Sequence, residues 1–88
     1  MSDFGKTLLT LRKKAGKSRY NLAQFSGLNE AYILRLETGE RSNPSRDVVL
    51  MIALSLIQTS NQLEFWDIEN LLLAANYTPL RRRKSNSL

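Results

Sequence analysis

The sequence predicts an all-α domain of five short helices, and three observations carry that reading. Apolar residues recur at three- and four-residue spacing in five successive windows, and no window alternates with the period of two that a half-buried strand requires. Residues that cap helices stand at the heads of those windows, and Gly16, Gly27, Gly39 and Asn76 stand at the ends of four of them. With 88 residues, 42% of them hydrophobic, the chain has room for one such domain with a modest core.

The first window is "DFGKTLLTLRKKAG", residues 3–16. Phe4, Leu8, Leu11 and Ala15 fall on one helical face, Asp3 is placed to cap the start, and Gly16 is placed to end it. Gly5 is expected to weaken the first turn. The second, "KSRYNLAQFS", is about two turns long, with Ser18 as N-cap, Leu22 and Ala23 inward, and Gly27 as its stop. The third, "LNEAYILRLETG", has Asn29 as N-cap, Ile33 and Leu36 on its buried side, and Gly39 as a left-handed C-terminal cap. After the loop "ERSNP" comes "SRDVVLMIALSLI". There Ser45 caps, Asp47 favours the first turn through the helix dipole, and Val49, Ile52, Ala53 and Leu56 make the core stripe.

The fifth window is "TSNQLEFWDIENLLLAAN", residues 59–76. Thr59 and Gln62 fit the capping-box spacing at its head, and Asn76 followed by Pro79 closes it. Phe65, Ile68, Leu71, Leu72 and Ala75 form one stripe, while Trp66 and Leu73 lie together off it. A second apolar face on one helix means either a homodimer contact or a helix packed between two neighbours. Residues 1–80 are therefore expected to form the domain. Residues 81–88, "RRRKSNSL", lack apolar periodicity and are expected to be a disordered basic tail.

Charge is distributed unevenly. Residues 1–46 carry nine basic and four acidic groups, residues 47–80 carry four acids and no base, and the tail begins with four consecutive cations. An asymmetric basic surface is the footprint of an anionic partner, most often nucleic acid. The chain has neither cysteine nor histidine, which removes thiol chemistry, disulfides, the commonest metal ligand and the commonest general base. No phosphate-loop or metal-spacing motif appears either, so no enzyme activity, cofactor or metal is expected. The longest apolar run, residues 48–57, is about half of what a membrane span needs (~20 residues), and no secretory leader is visible. A cytoplasmic, non-membrane protein is the expectation.

Two short helices joined across Gly27 fit a helix-turn-helix: Ala23 lets the helices cross closely, and Gly27 permits the left-handed backbone of a three-residue turn. Leu22, Ile33 and Leu36 close the inside, and residues 30, 31, 34 and 35 share the outward face of the second helix. The markers Leu11-Arg12, Ser18, Leu22-Ala23, Gly27, Ile33, Leu36-Glu37, Gly39 and Asn43-Pro44-Ser45 stand together in residues 5–57. On these markers the segment resembles the helix-turn-helix family of phage repressors, Cro proteins and xenobiotic-response-element-type regulators. The stretch "LLLAANYTPL" is similar, more loosely, to a C-terminal extension in some of its bacterial members.

The resemblance implies a compact, five-helix, lambda-repressor-like domain with the motif at its second and third helices. It further implies a sequence-specific transcriptional regulator of bacterial or phage type, a repressor that binds a palindromic operator in double-stranded DNA as a homodimer. Glu30, Ala31, Leu34 and Arg35 match or adjoin the base-reading positions, Arg35 suiting the acceptor pair on guanine. For Glu30, reading a cytosine and steadying the helix start stay open as alternatives. Ser18, Arg19, Asn29, Tyr32, Arg41 and Arg46 are the candidates for the DNA backbone. Family members usually carry glutamine where Arg19 stands, so its charge is expected to strengthen phosphate contact and to give up an amide bridge to the reading helix. Arg12 and Glu37 match a buried structural ion pair. Phe25 departs from the pattern, since its position is usually polar, while Ser26 takes a position usually apolar; Phe25 is expected to pack on the last helix. The alternative function is an antitoxin or protein-interaction module, its toxin or other partner docking on Phe25 or on the Trp66–Leu73 face.

Overall fold

A computed structural model describes residues 3–58 and 62–78, and the starts of α2, α3 and α4 below are set by local signals legible in the chain. The helices are α1 (Asp3–Lys14), α2 (Arg19–Ser26), α3 (Glu30–Thr38), α4 (Arg46–Gln58) and α5 (Phe65–Ala74). Ser18 is extended and its Oγ accepts the Asn21 N–H at 3.0 Å, opening α2. Asn29 opens α3 in the same way, its Oδ1 accepting the Ala31 N–H at 2.7 Å. Ser45 Oγ accepts the Val48 N–H at 3.1 Å ahead of α4. These bonds satisfy donors that a helix start would otherwise leave unpaired. Gly27 closes α2 at φ 77°, a left-handed conformation that a β-carbon disfavours, and its N–H reaches Ala23 O at 2.9 Å.

α1 packs on α3 and α5, α2 on α3 and α4, and α4 on α5. Their inward faces meet in one core of Phe4, Leu8, Leu11, Ala15, Leu22, Ile33, Leu36, Val49, Ile52, Ala53, Leu56, Ile68, Leu71 and Leu72. Among the described residues the architecture is all-α. The segment 81–88, Thr59 and Pro79 lie outside the described residues.

Three expectations are corrected. The last helix does not start at a Thr59–Gln62 box: Gln62 lies in a bend, and α5 begins at Phe65 after Glu64. There the Glu64 N–H donates to Asp67 Oδ2 at 2.8 Å, a capping-box arrangement built from two acids. Phe65, at the first position of that shorter helix, is about half exposed and leaves the core stripe to Ile68, Leu71 and Leu72. Phe25 does not pack on α5. It is 55% exposed, because Ser26, four residues after Leu22, takes the inward position and its Oγ accepts the Leu28 N–H at 3.2 Å. Gly5, whose effect on the first turn is a separate matter, is a requirement of packing. A β-carbon there would stand 2.5 Å from Leu36 O and 2.7 Å from Glu37 O, so α1 approaches the backbone of α3 as closely as only glycine allows.

A second tie crosses from α1 to α5, where Lys14 Nζ donates to Asp67 Oδ2 at 2.8 Å. Burial pushes the Asp67 carboxyl up, but the Glu64 N–H and the Lys14 ammonium more than offset it and hold the group below the usual aspartate value. The unfolded chain therefore binds the Asp67 proton first as pH falls. The stabilisation is complete above the unfolded pKa of about 4 and is lost as pH drops through the lower folded value. Urea unfolding between about pH 2 and 5 is expected to show stability rising with pH. Lys14→Met is expected to make that rise shallower, and an unchanged slope in the variant would remove Lys14 from the account.

Candidate nucleic-acid interface

The outer face of α3 follows from its inner one. Ile33, Leu36 and Glu37 are buried, so the helical repeat turns Ala31, Leu34, Arg35 and Thr38 to the other side; all four are exposed, as is Glu30 at the first position of the helix. Thr38, which the sequence reading passed over, extends this face by a turn and donates its hydroxyl to Arg35 O at 3.2 Å. Arg35 is close to one acid: its Nε lies 3.8 Å from Glu40 Oε2, beyond hydrogen-bond reach, and both side chains are exposed. Glu30 is the first residue of α3, so it is both exposed and placed to benefit from the helix dipole.

What holds this face in place is Glu37. Arg12 Nε donates to Glu37 Oε2 at 2.6 Å and Arg12 Nη2 to Glu37 Oε1 at 3.2 Å, a two-pronged pair with both side chains buried. Arg12 Nη1 also donates to Lys17 O at 2.8 Å, which ties down the chain entering α2. Arg19 joins the same carboxylate, its Nη1 standing 3.2 Å from Glu37 Oε1. The amide bridge expected to be absent at this position is replaced by an ionic one, so Arg19 still ties α2 to the reading helix. Arg19 is only partly exposed, and one edge of its guanidinium is already occupied.

The flanks of the face come from both motif helices and the following loop. Ser18 and Asn29 are exposed at the two helix starts, where their side chains serve as caps. Tyr20, Gln24 and Glu30 line an open depression between α2 and the start of α3. Tyr32 is half-buried at the edge of α3, and the Arg41 guanidinium lies over its ring, 5.5 Å from the centroid. Arg41 gets there because its N–H bonds Arg35 O at 3.0 Å, folding the loop back on the end of α3. Arg46, the first residue of α4, is exposed.

Two helices joined through a left-handed Gly27, with the second presenting an outer polar face, are matched over residues 3–54 by the helix-turn-helix domain family. The chain belongs to that family. No curated protein and no solved structure matches it. The helix-turn-helix is α2 and α3, and α1 and most of α4 complete the matched region. Membership makes DNA the expected partner class. Among the described residues no helix is long and apolar enough to cross a membrane.

Away from the motif the surface turns apolar. Trp66 and Leu73 on α5 are both more than half exposed, with Asn70 between them at helical spacing. Met51, Leu54 and Ile57 form a similar outward stripe on α4. That stripe escaped the sequence reading because α4 is apolar on nearly every side, which leaves no polar face to mark the outside.

Glu37→Gln keeps the side-chain volume but leaves Arg12 and Arg19 against a neutral amide. It is expected to destabilise the domain by about 3 kcal/mol in urea unfolding, as for a buried pair that loses one partner. A loss under about 1 kcal/mol would place the tie among the weak surface pairs.

Proposed function

We propose that this helix-turn-helix protein is a sequence-specific, double-stranded-DNA-binding transcriptional regulator of the phage repressor and Cro type, acting as a repressor. The observation that carries the reading is the outer face of α3, with Glu30, Ala31, Leu34 and Arg35 all exposed on a helix whose opposite side is fixed by the core and by Glu37. In this reading α3 lies in the major groove. Arg35 reads guanine through its fork of donors, and Ala31 and Leu34 meet thymine methyls or let the backbone approach. Ser18, Asn29, Tyr32, Arg41 and Arg46 contact phosphates and set the register, and Arg19 contributes the edge that Glu37 leaves free. Residues 1–80 act as the domain and residues 81–88 as its basic tail.

The exposed Trp66 and Leu73 support a homodimer built on α5, which would place two reading helices on half-sites about one helical turn, ~10 bp, apart in a palindromic operator. The exposed Phe25 supports a second reading, in which a protein partner such as a toxin docks beside α2 while the same domain binds DNA.

Selection of bound sites from random duplex DNA is expected to yield a preferred half-site. Arg35→Ala is expected to relax preference at one position of it, at a cost of ~1–3 kcal/mol. An unchanged preference would remove Arg35 from base reading. Trp66→Asp is expected to give monomers in sedimentation where the parent chain gives dimers. A soluble dimer in that variant would move the contact elsewhere, the α4 stripe being the next place to probe.

A further inference from the structure

An acid stands at the end of the reading helix that disfavours one. Glu40 is the second residue after α3, it is exposed, and it lies at the carbonyl end of the helix, where the dipole opposes a negative charge. In the DNA-binding reading above it also stands near phosphates, which repel it. Glu30, at the opposite end of α3, has the dipole in its favour. Glu40 has not, so its place calls for another account.

Its neighbour is Arg35. On a continued helix, residues five apart point about 140° away from each other and do not meet. Here the chain turns left-handed at Gly39, φ 88°, and folds back. The Gly39 N–H reaches Arg35 O at 3.1 Å, and the Arg41 N–H reaches the same oxygen at 3.0 Å. The Glu40 N–H lies 3.4 Å from Thr38 Oγ1, whose hydroxyl in turn donates to Arg35 O. These bonds bring the Glu40 carboxylate beside the Arg35 guanidinium, with Oε2 3.8 Å from Nε. Arg41, the next residue, is turned to the Tyr32 ring instead.

The end of the guanidinium that Glu40 approaches decides what the pair can do. Arginine carries its N–H donors in a rigid planar fork. Guanine offers two acceptors on one edge, O6 and N7. The terminal nitrogens Nη1 and Nη2 can take both acceptors end-on, which leaves the Nε–H at the side of the fork. Glu40 stands at that side. A small rotation of either exposed side chain closes the gap to a hydrogen bond at Nε. Such a bond fixes the plane of the fork and leaves the reading donors free. An unbraced arginine can swing to a phosphate, where it adds affinity but no base information.

We propose that Glu40 is a positioning residue for base reading, bracing Arg35 through Nε so that its fork stays on guanine. The brace rests on the assignment of Arg35 to base reading above. Glu40 raises the preference for the base that Arg35 reads, and its charge lowers binding to duplex DNA in general.

The test starts from sites selected from random duplex DNA. Anisotropy titrations then compare the selected site, the same site with the Arg35-dependent base pair changed, and random-sequence duplex. The proteins are the full chain, Glu40→Gln, Glu40→Asp, Arg35→Ala and the double variant of Glu40→Gln with Arg35→Ala. Glu40→Gln is expected to reduce discrimination at the Arg35-dependent base pair by about two- to fivefold, the range that an exposed ion pair supplies. It is expected to bind random duplex at least as tightly as the parent, because a carboxylate has been removed. Glu40→Asp keeps the charge and shortens the reach. It is expected to lose discrimination as Glu40→Gln does, with no gain on random duplex. In the Arg35→Ala background, Glu40→Gln is expected to leave base preference unchanged. If the parent binds no duplex at any salt, the DNA-binding reading fails and the brace with it. If Arg35→Ala changes no preference, the brace falls with the role of Arg35. If Arg35→Ala relaxes one position and Glu40→Gln does not, the brace is overturned while base reading by Arg35 stands. Relaxation by Glu40→Gln at another position, or without Arg35, would make Glu40 a reader in its own right and overturn the brace. Full discrimination in Glu40→Asp would reduce the effect to charge alone, and weaker binding of Glu40→Gln to every duplex with a lowered melting temperature would show a structural role; either result overturns the brace.

Discussion

Glu37 belongs to α3, accepts two hydrogen bonds from Arg12 of α1, and pairs with Arg19 of α2, so one buried carboxylate fixes three helices against each other. The backbone repeats the tie, because Gly5 of α1 brings its helix against the carbonyls of Leu36 and Glu37. A buried ion pair is a weak source of net stability, since the desolvation of its two charges offsets most of their attraction. Its contribution here is geometric. Among the described residues only Arg12 and Arg19 pair with Glu37, which fixes the rotation of α3, and in that setting Glu30, Ala31, Leu34 and Arg35 are all exposed. Reading a groove demands such a fixed face, because a good contact to a base edge depends on angles as well as distance.

The rest of the domain sorts by charge around this tie. Arg19, Arg35, Arg41 and Arg46 stand on α2, on α3, in the following loop and at the start of α4, whereas the rest of α4 and α5 bear only acids and expose apolar stripes. A surface divided in this way suits two partners of different chemistry, an anionic polymer on one side and an apolar protein surface on the other. Met51, Leu54 and Ile57 on α4 and Trp66 and Leu73 on α5 are the exposed apolar side chains of those two helices beside Phe65.

Much of this was legible in the sequence because it is local. Ser18, Asn29, Gly27 and Gly39 act within four residues of themselves, and the apolar positions of α1 to α4 follow the helical repeat. The failures have separate physical causes. The α5 cap uses Glu64 and Asp67, which make the bonds of a capping box without its usual Ser or Thr and Glu or Gln, so the pattern pointed to Thr59 instead. Phe25 drew attention by its size, but helical phase, not hydrophobicity, decides which residue faces inward, and the phase belongs to Ser26. Gly5, the Lys14–Asp67 pair and the Tyr77–Pro44 bond join distant parts of the chain, and no local pattern announces them. In the site itself the outward set on α3 was readable from spacing alone, whereas the attachment of Arg19 to Glu37 needed the crossing of α2 and α3.

The central claim is that the tie at Glu37 presents the outer face of α3, with its flanking caps and loop, to duplex DNA. The most direct measurement is amide NMR of the full chain titrated with duplex DNA. Shifts concentrated at residues 18–20, 29–35 and 39–46, with Trp66 and Leu73 little changed at constant protein concentration, are the expected result. Shifts confined to the exposed stripes of α4 and α5, or no shifts at any salt, would contradict it.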